Sequence, residues 1–160
     1  MRKGFFSESI VAQSKAPQSR LPKCGACGLY KDCASPKMTV GGNGKRRILV
    51  VGEAPGRKED EQGAHFVDDR GAMLEKALRR AGLTMRGDCW LTNALICLPP
   101  RGKIDPKVAS YCRPNIVNTI ERLKPDVIIT LGAVATSSAM KGVWKEDTGN
   151  MDKWLGWRIP

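Results

Sequence analysis

At 160 residues, 41% of them hydrophobic, the chain is long enough for one domain with its own core and has no need of disulfide staples. Lys and Arg number 27 against 16 Asp and Glu, a net charge of +11, which creates a long-range field for polyanions and makes nucleic acid the expected partner. No apolar run approaches ~18 residues, and the N-terminus (Met1, Arg2, Lys3) has charge without an apolar signal region, so neither a membrane span nor a secretory leader is expected. A reducing, cytoplasmic setting follows as the expectation. There, the six cysteines argue for ligands or free thiols over disulfides.

Residues 1–22 carry Ser, Gln and Pro with little periodicity and are expected to form a flexible arm, with a single domain over 23–160. A cysteine knuckle follows, with Cys24, Cys27 and Cys33 among glycines. The turn Gly41-Gly42-Asn43-Gly44 leads into a first strand over 47–51. That strand runs into Gly52-Glu53-Ala54-Pro55-Gly56, and Glu59 and Asp60 add carboxylates within about one turn. An acid in a tight turn at a strand's carboxyl end is how α/β proteins present chemistry. Met73, Leu74, Ala77, Leu78 and Ala81 have helical spacing from Gly71, with Gly82 as the stop.

A second strand is expected over Cys89–Leu95, a second helix from Pro106 to about Leu123, and a third strand over Asp126–Leu131 ending at Gly132. A short helix from Ala133 to about Lys141 completes the pattern. Strands alternating with helices predict an α/β fold with a parallel sheet covered on both faces. The chain has neither a Walker Gly-Lys-Ser/Thr sequence nor a full Gly-x-Gly-x-x-Gly, so no nucleotide cofactor is expected.

Cys24 and Cys27 form a close pair on a glycine-rich loop, and a Pro/Gly-bearing loop can bring Cys97 and Cys112 together. Such thiolates could hold tetrahedral zinc or a [4Fe–4S] cluster, and spacing alone does not separate the two. Cys33 is a rival for a ligand position, while Cys89, opening an apolar strand, reads as core. Arg101 and Lys103, together on a loop, are the basic residues expected to meet phosphates. Each acid and aromatic has a plainer reading too. Glu59 and Asp60 could cap a helix, Phe66 could be core, Asn93 could be a turn residue, and His65 suits a solvated loop.

Several motifs occur together in one order: Cys24-x2-Cys27, Gly52-Glu53-Ala54-Pro55-Gly56-x-x-Glu59-Asp60, Thr92-Asn93, Cys97-x-Pro99-Pro100, Cys112-Arg113-Pro114, and Pro125-Asp126-Val127-Ile128 leading to Gly132. From Cys24 onward the chain resembles the family 4, iron–sulfur uracil-DNA glycosylases. The resemblance implies a three-layer α/β/α sandwich around a central parallel sheet. It implies a structural [4Fe–4S] cluster on Cys24, Cys27, Cys97 and Cys112, with zinc the second choice. Its chemistry would be hydrolysis of the N-glycosidic bond of deoxyuridine in DNA, starting base excision repair, with the base flipped from the stack.

By the same resemblance, Glu59 or Glu53 would position the attacking water. Phe66 would stack on uracil beside the turn backbone at Gly52 and Ala54, and Asn93 would read the base edge, accepting from N3–H and donating to O4. Other replication or repair proteins are possible partners, and a catalytically inactive iron–sulfur DNA-binding module is the alternative.

The resemblance departs in two places. The stacking loop, Gly63-Ala64-His65-Phe66-Val67-Asp68, has His where the family has Pro and Asp where it has Gly, putting negative charge near a phosphate path. The family's fourth strand and His-Pro-Ser type loop have no counterpart in these 160 residues. The chain is therefore expected to be C-terminally incomplete, short of the fold's last strand, and weak or inactive as a glycosylase.

Overall fold

The computed structural model describes residues 24–145, together with 149, 155 and 156. The expected arm over 1–22 lies outside the described residues. The described strands are β1 (Ile48–Gly52), β2 (Cys89–Asn93) and β3 (Val127–Thr130), all parallel, in the order β2-β1-β3. Ile48 pairs with both Cys89 and Val127, so the three strands start level and their carboxyl ends open on one side. This is the α/β class that the alternation of strands and helices predicts.

Alternation along β1 sorts the core into two layers. Leu49 and Val51 pack with Leu95, Ile96 and Ile116, whereas Val50 packs with Leu78, Met85 and Leu91. The second layer includes α2 (Asp69–Arg80), which follows the short α1 (Arg57–Gln62), and the single turn α3 (Met85–Asp88). The first is built on α4 (Pro106–Leu123) and α5 (Ala133–Ala139), continued by a π-helical turn over Met140–Trp144. A strand buried on both faces must be apolar at successive positions, which explains the unbroken Ile48–Val51 run.

Local signals set the helix ends. Asp68 caps α2 by accepting from Gly71 N–H at 3.0 Å, and Asp105 caps α4 from Lys107 N–H at 2.7 Å with Pro106 in the first turn. The expected start of α2 at Gly71 therefore moves back two residues. β2 ends at Asn93 rather than Leu95, because Ala94 and Leu95 turn their N–H groups to Gly52 O and Glu53 O. The segment leading to β1 lies antiparallel against β2, with Gly41 and Leu91 exchanging backbone bonds at 2.9 and 2.8 Å.

Candidate active site and cysteine pocket

The carboxyl ends of β1 and β2 meet in a packed group of polar side chains. Asn93, the last residue of β2, is 2% exposed and stands opposite Gly52. A methyl group on Gly52 would overlap Asn93 Oδ1 and meet the Phe66 ring at 3.1 Å, so glycine is what lets the amide and the ring close on the strand end. Phe66 has φ 54°, a strained left-handed conformation for a large side chain. It is held there from both sides: its N–H donates to Glu59 Oε1, and Gly71 packs bare against its carbonyl.

Glu59 is buried in the first turn of α1, and its other oxygen accepts from Gly56 N–H at 2.6 Å. The cap expected as its plainer reading is therefore present, and the same carboxylate ties the 52–56 turn to the Phe66 loop. Asp60, beside it, accepts from Ala34 N–H at 2.9 Å and Ser35 N–H at 3.0 Å, fastening α1 to the cysteine segment. Neither expected acid at this helix start is free.

His65 is not the solvated loop residue expected. It is 3% exposed, because the 38–41 segment lying along β2 covers it. Its Nε2 lies 2.7 Å from Thr39 O and its Nδ1 3.2 Å from Asn93 Nδ2. Burial pushes its pKa below the ordinary value, and the Arg86 guanidinium adds to this; the Thr39 carbonyl and the Glu59 carboxylate pull the other way.

Next to this group opens a cleft of about 270 Å³ lined by Glu53, Ala54, Pro55 and the arginines Arg57, Arg70 and Arg101. Glu53 Oε1 accepts from Val134 N–H at 3.0 Å, at the start of α5. Arg101 joins Glu53 and Ala54 in the cleft from the loop after β2, whereas Lys103 is exposed and is not among the lining residues. Asp68 is less of an intruder than its sequence position predicts. Burial raises its pKa, yet the Gly71 N–H and Arg70, 2.8 Å away, hold it below the ordinary carboxylate value overall. Its charge is spent on Arg70 and the α2 cap.

Cys24, Cys27, Cys97 and Cys112 line one small, mainly apolar pocket with Tyr30, Lys37, Ile96 and Tyr111. All are free thiols. Among the described residues no three His, Cys, Asp or Glu side chains stand close enough to grip a single ion, so the pocket gathers the sulfurs without closing them to one centre. Burial pushes Cys97 up to about 12 and Cys112 to about 11, so these thiols are protonated unless a cation offsets the burial. Cys33 lies outside the pocket and donates to Leu29 O at 3.1 Å. Cys89 is core, as expected.

Residues 40–156 match the model of the uracil DNA glycosylase superfamily. The chain belongs to that superfamily. It is 37% identical over 142 residues to a Type-4 uracil-DNA glycosylase of Thermotoga maritima, covering 86% of this chain and 72% of that protein. Two more Type-4 uracil-DNA glycosylases, from Pyrobaculum aerophilum and Archaeoglobus fulgidus, are 36% and 39% identical over 76% and 70% of this chain. The matches span only 61% and 56% of those two proteins, so the chain is shorter than the relatives it resembles.

Within this superfamily member the residues picked out by sequence fall into separate places. Gly52, Phe66, Asn93 and Glu59 form the packed group; Glu53, Ala54 and Arg101 face the cleft; the four cysteines line their own pocket. His65 and Arg57 were missed as contributors. Arg57 was readable, since a cation beside a strand-end turn points toward an anion site, but the environment of His65 depends on contacts remote in sequence.

Proposed function

We propose that this chain is a uracil-DNA glycosylase, hydrolysing the N-glycosidic bond of deoxyuridine in DNA and leaving an abasic site. The observation that carries the reading is the buried Asn93 carboxamide held against Gly52 and the Phe66 ring at the end of the parallel sheet, in a chain of this superfamily. Phe66 offers a face on which a flipped base stacks. Asn93 can accept from uracil N3–H and donate to O4, and the backbone around Gly52 and Ala54 flanks the base. The arginines of the cleft supply positive charge for DNA phosphates, with Arg101 contributing directly and Lys103 from nearby.

The two glutamates take different parts. Both oxygens of Glu59 are engaged by backbone N–H groups, so it serves as a positioning residue for the turn and Phe66. Glu53 faces the open cleft and is the better placed to orient water.

The donor set in the cysteine pocket suits the iron–sulfur group, since four thiols with no acidic or imidazole competitor line it. Cys24, Cys27, Cys97 and Cys112 would hold a [4Fe–4S] cluster, which would crosslink the knuckle to the start of the 98–105 loop and to α4. Zinc suits the same pocket less well, because one ion needs all four sulfurs at ~2.3 Å. The proposed setting is the cell interior, acting on DNA with other repair proteins. No comparison supports the alternative of an inactive module.

Single-turnover excision from a uracil-containing oligonucleotide, read by alkaline cleavage at the abasic site, tests the reading. Slow uracil-dependent cleavage is expected, with Asn93→Ala reducing it about 100-fold or more. Cleavage that is absent, or indifferent to Asn93, would overturn it.

A further inference from the structure

Asn93 can read uracil only if its amide faces one way. Uracil presents N3–H as a donor and O4 as an acceptor, and cytosine presents the reverse, so a carboxamide turned by 180° favours the wrong base. Something in the protein must therefore hold the amide.

The hydrogen-bond network does so. Thr39 O is a carbonyl and can only accept, so the His65 nitrogen 2.7 Å away, Nε2, carries the proton. A neutral imidazole with its proton on Nε2 has a bare lone pair on Nδ1. The Asn93 atom 3.2 Å from Nδ1 must then be a donor, which makes it Nδ2 and turns Oδ1 toward Gly52 and the Phe66 ring. The imidazole and the amide are well packed: His65 is 3% and Asn93 2% exposed, and the Arg86 guanidinium donates to His65 O at 3.1 Å, fixing the backbone behind the ring. One Nδ2 hydrogen is used on His65 and the other remains for O4.

We propose that neutral His65 is the positioning residue that sets the Asn93 carboxamide in the uracil-reading orientation, through a relay from Thr39 O to Nε2–H and from Asn93 Nδ2–H to Nδ1. The choice of uracil over cytosine rests on the glycosylase reading above; the orientation itself does not. His65 touches neither the base nor the water, and it acts through Asn93.

His65 is the one histidine of the sequence, so its ring signals need no assignment. Imidazole 15N–1H correlation spectra of the full, untagged chain at pH 7.5 are expected to show the Nε2–H tautomer, with a pyridine-like Nδ1 whose shift moves in Asn93→Ala. Two variants then test the consequence. His65→Gln keeps a donor for Thr39 O but offers nothing to Asn93, while His65→Asn puts a carbonyl acceptor near the Nδ1 position. Uracil excision is expected to fall about tenfold in His65→Gln, with a narrowed uracil-to-cytosine ratio, and to recover in His65→Asn. A different tautomer, an Nδ1 shift indifferent to Asn93, or wild-type rate and selectivity in His65→Gln would overturn the proposal. If the wild-type chain excises no uracil, the glycosylase reading and the selectivity role fall together, and the spectra still decide whether His65 orients Asn93.

Discussion

The strand-end group and the cysteine pocket are both buried clusters of reactive side chains, and they are stabilised in opposite ways. Around Asn93, the amide, the imidazole and the Glu59 carboxylate each have a protein partner, so the geometry exists without a ligand. In the cysteine pocket the thiols line a mainly apolar space, where Cys97 receives a long bond from Lys37 N–H at 3.3 Å and contacts the Cys33 thiol. A polar group that finds its partners in the protein is preorganised; one that does not must recruit a ligand or remain neutral. The first region takes its geometry from the protein alone, and the second would take it from a bound ligand.

The contrast predicts where substitutions strike. Glu53→Gln, on the open cleft, is expected to slow uracil excision about 100-fold with a smaller loss of stability than Glu59→Gln, since it weakens only the Val134 bond; single-turnover rates alongside melting curves measure both. Glu59→Gln should do the reverse in part. It weakens two backbone bonds inside the packed group, costing about 1–3 kcal/mol of stability on chemical denaturation, with a smaller loss of rate. If both variants lose rate alone, the division of roles between the two glutamates is wrong.

Cys97→Ala separates a filled pocket from an empty one. With a cluster bound, the variant should lose its visible absorbance and several kcal/mol, a drop in Tm of about 10 °C. A loss of only about 1 kcal/mol, with no chromophore to lose, would mean the pocket is an ordinary apolar packing site.

A milder effect comes from pH. The folded-state pKa of His65 lies below its ordinary value of 6.5, so in acid the unfolded chain takes up the proton first. Stability should be insensitive to this group above pH 6.5 and should decline as pH falls through the window beneath it. Denaturation midpoints in wild type and His65→Asn should converge as that window is crossed; parallel curves would mean His65 titrates freely. The smallest effect is expected at the cleft rim. Arg101→Ala should reduce the salt dependence of DNA binding by about one counterion and Lys103→Ala by less.

Much of the scaffold was readable from pattern alone. The Ile48–Val51 run, the Pro106 start and the Gly82 stop each report a local rule that the fold obeys. The short helices were harder: α3 is a single turn, and α1 showed itself only through the capping potential of Glu59 and Asp60. Boundaries slipped where a cap or a turn decided them, as at Asp68 and at Ala94. The placement of Asn93 and Phe66 together against Gly52 was legible, because their motif puts them at a strand end and on the loop after the first helix.

His65 was not legible. Nothing adjacent in sequence predicts that residues 38–41 lie antiparallel along β2 and bring Thr39 O onto the ring. The sequence by itself determined the chain's net positive charge, the order of its strands and helices, and which residue types reach the strand ends, because composition and periodicity are properties of the covalent chain. Only the tertiary structure decided which carboxylate has both oxygens engaged and which faces the cleft, which cysteines share a pocket, and which way Asn93 points. Those depend on hydrogen bonds and burial between segments remote in sequence, and such contacts exist only once the chain has folded.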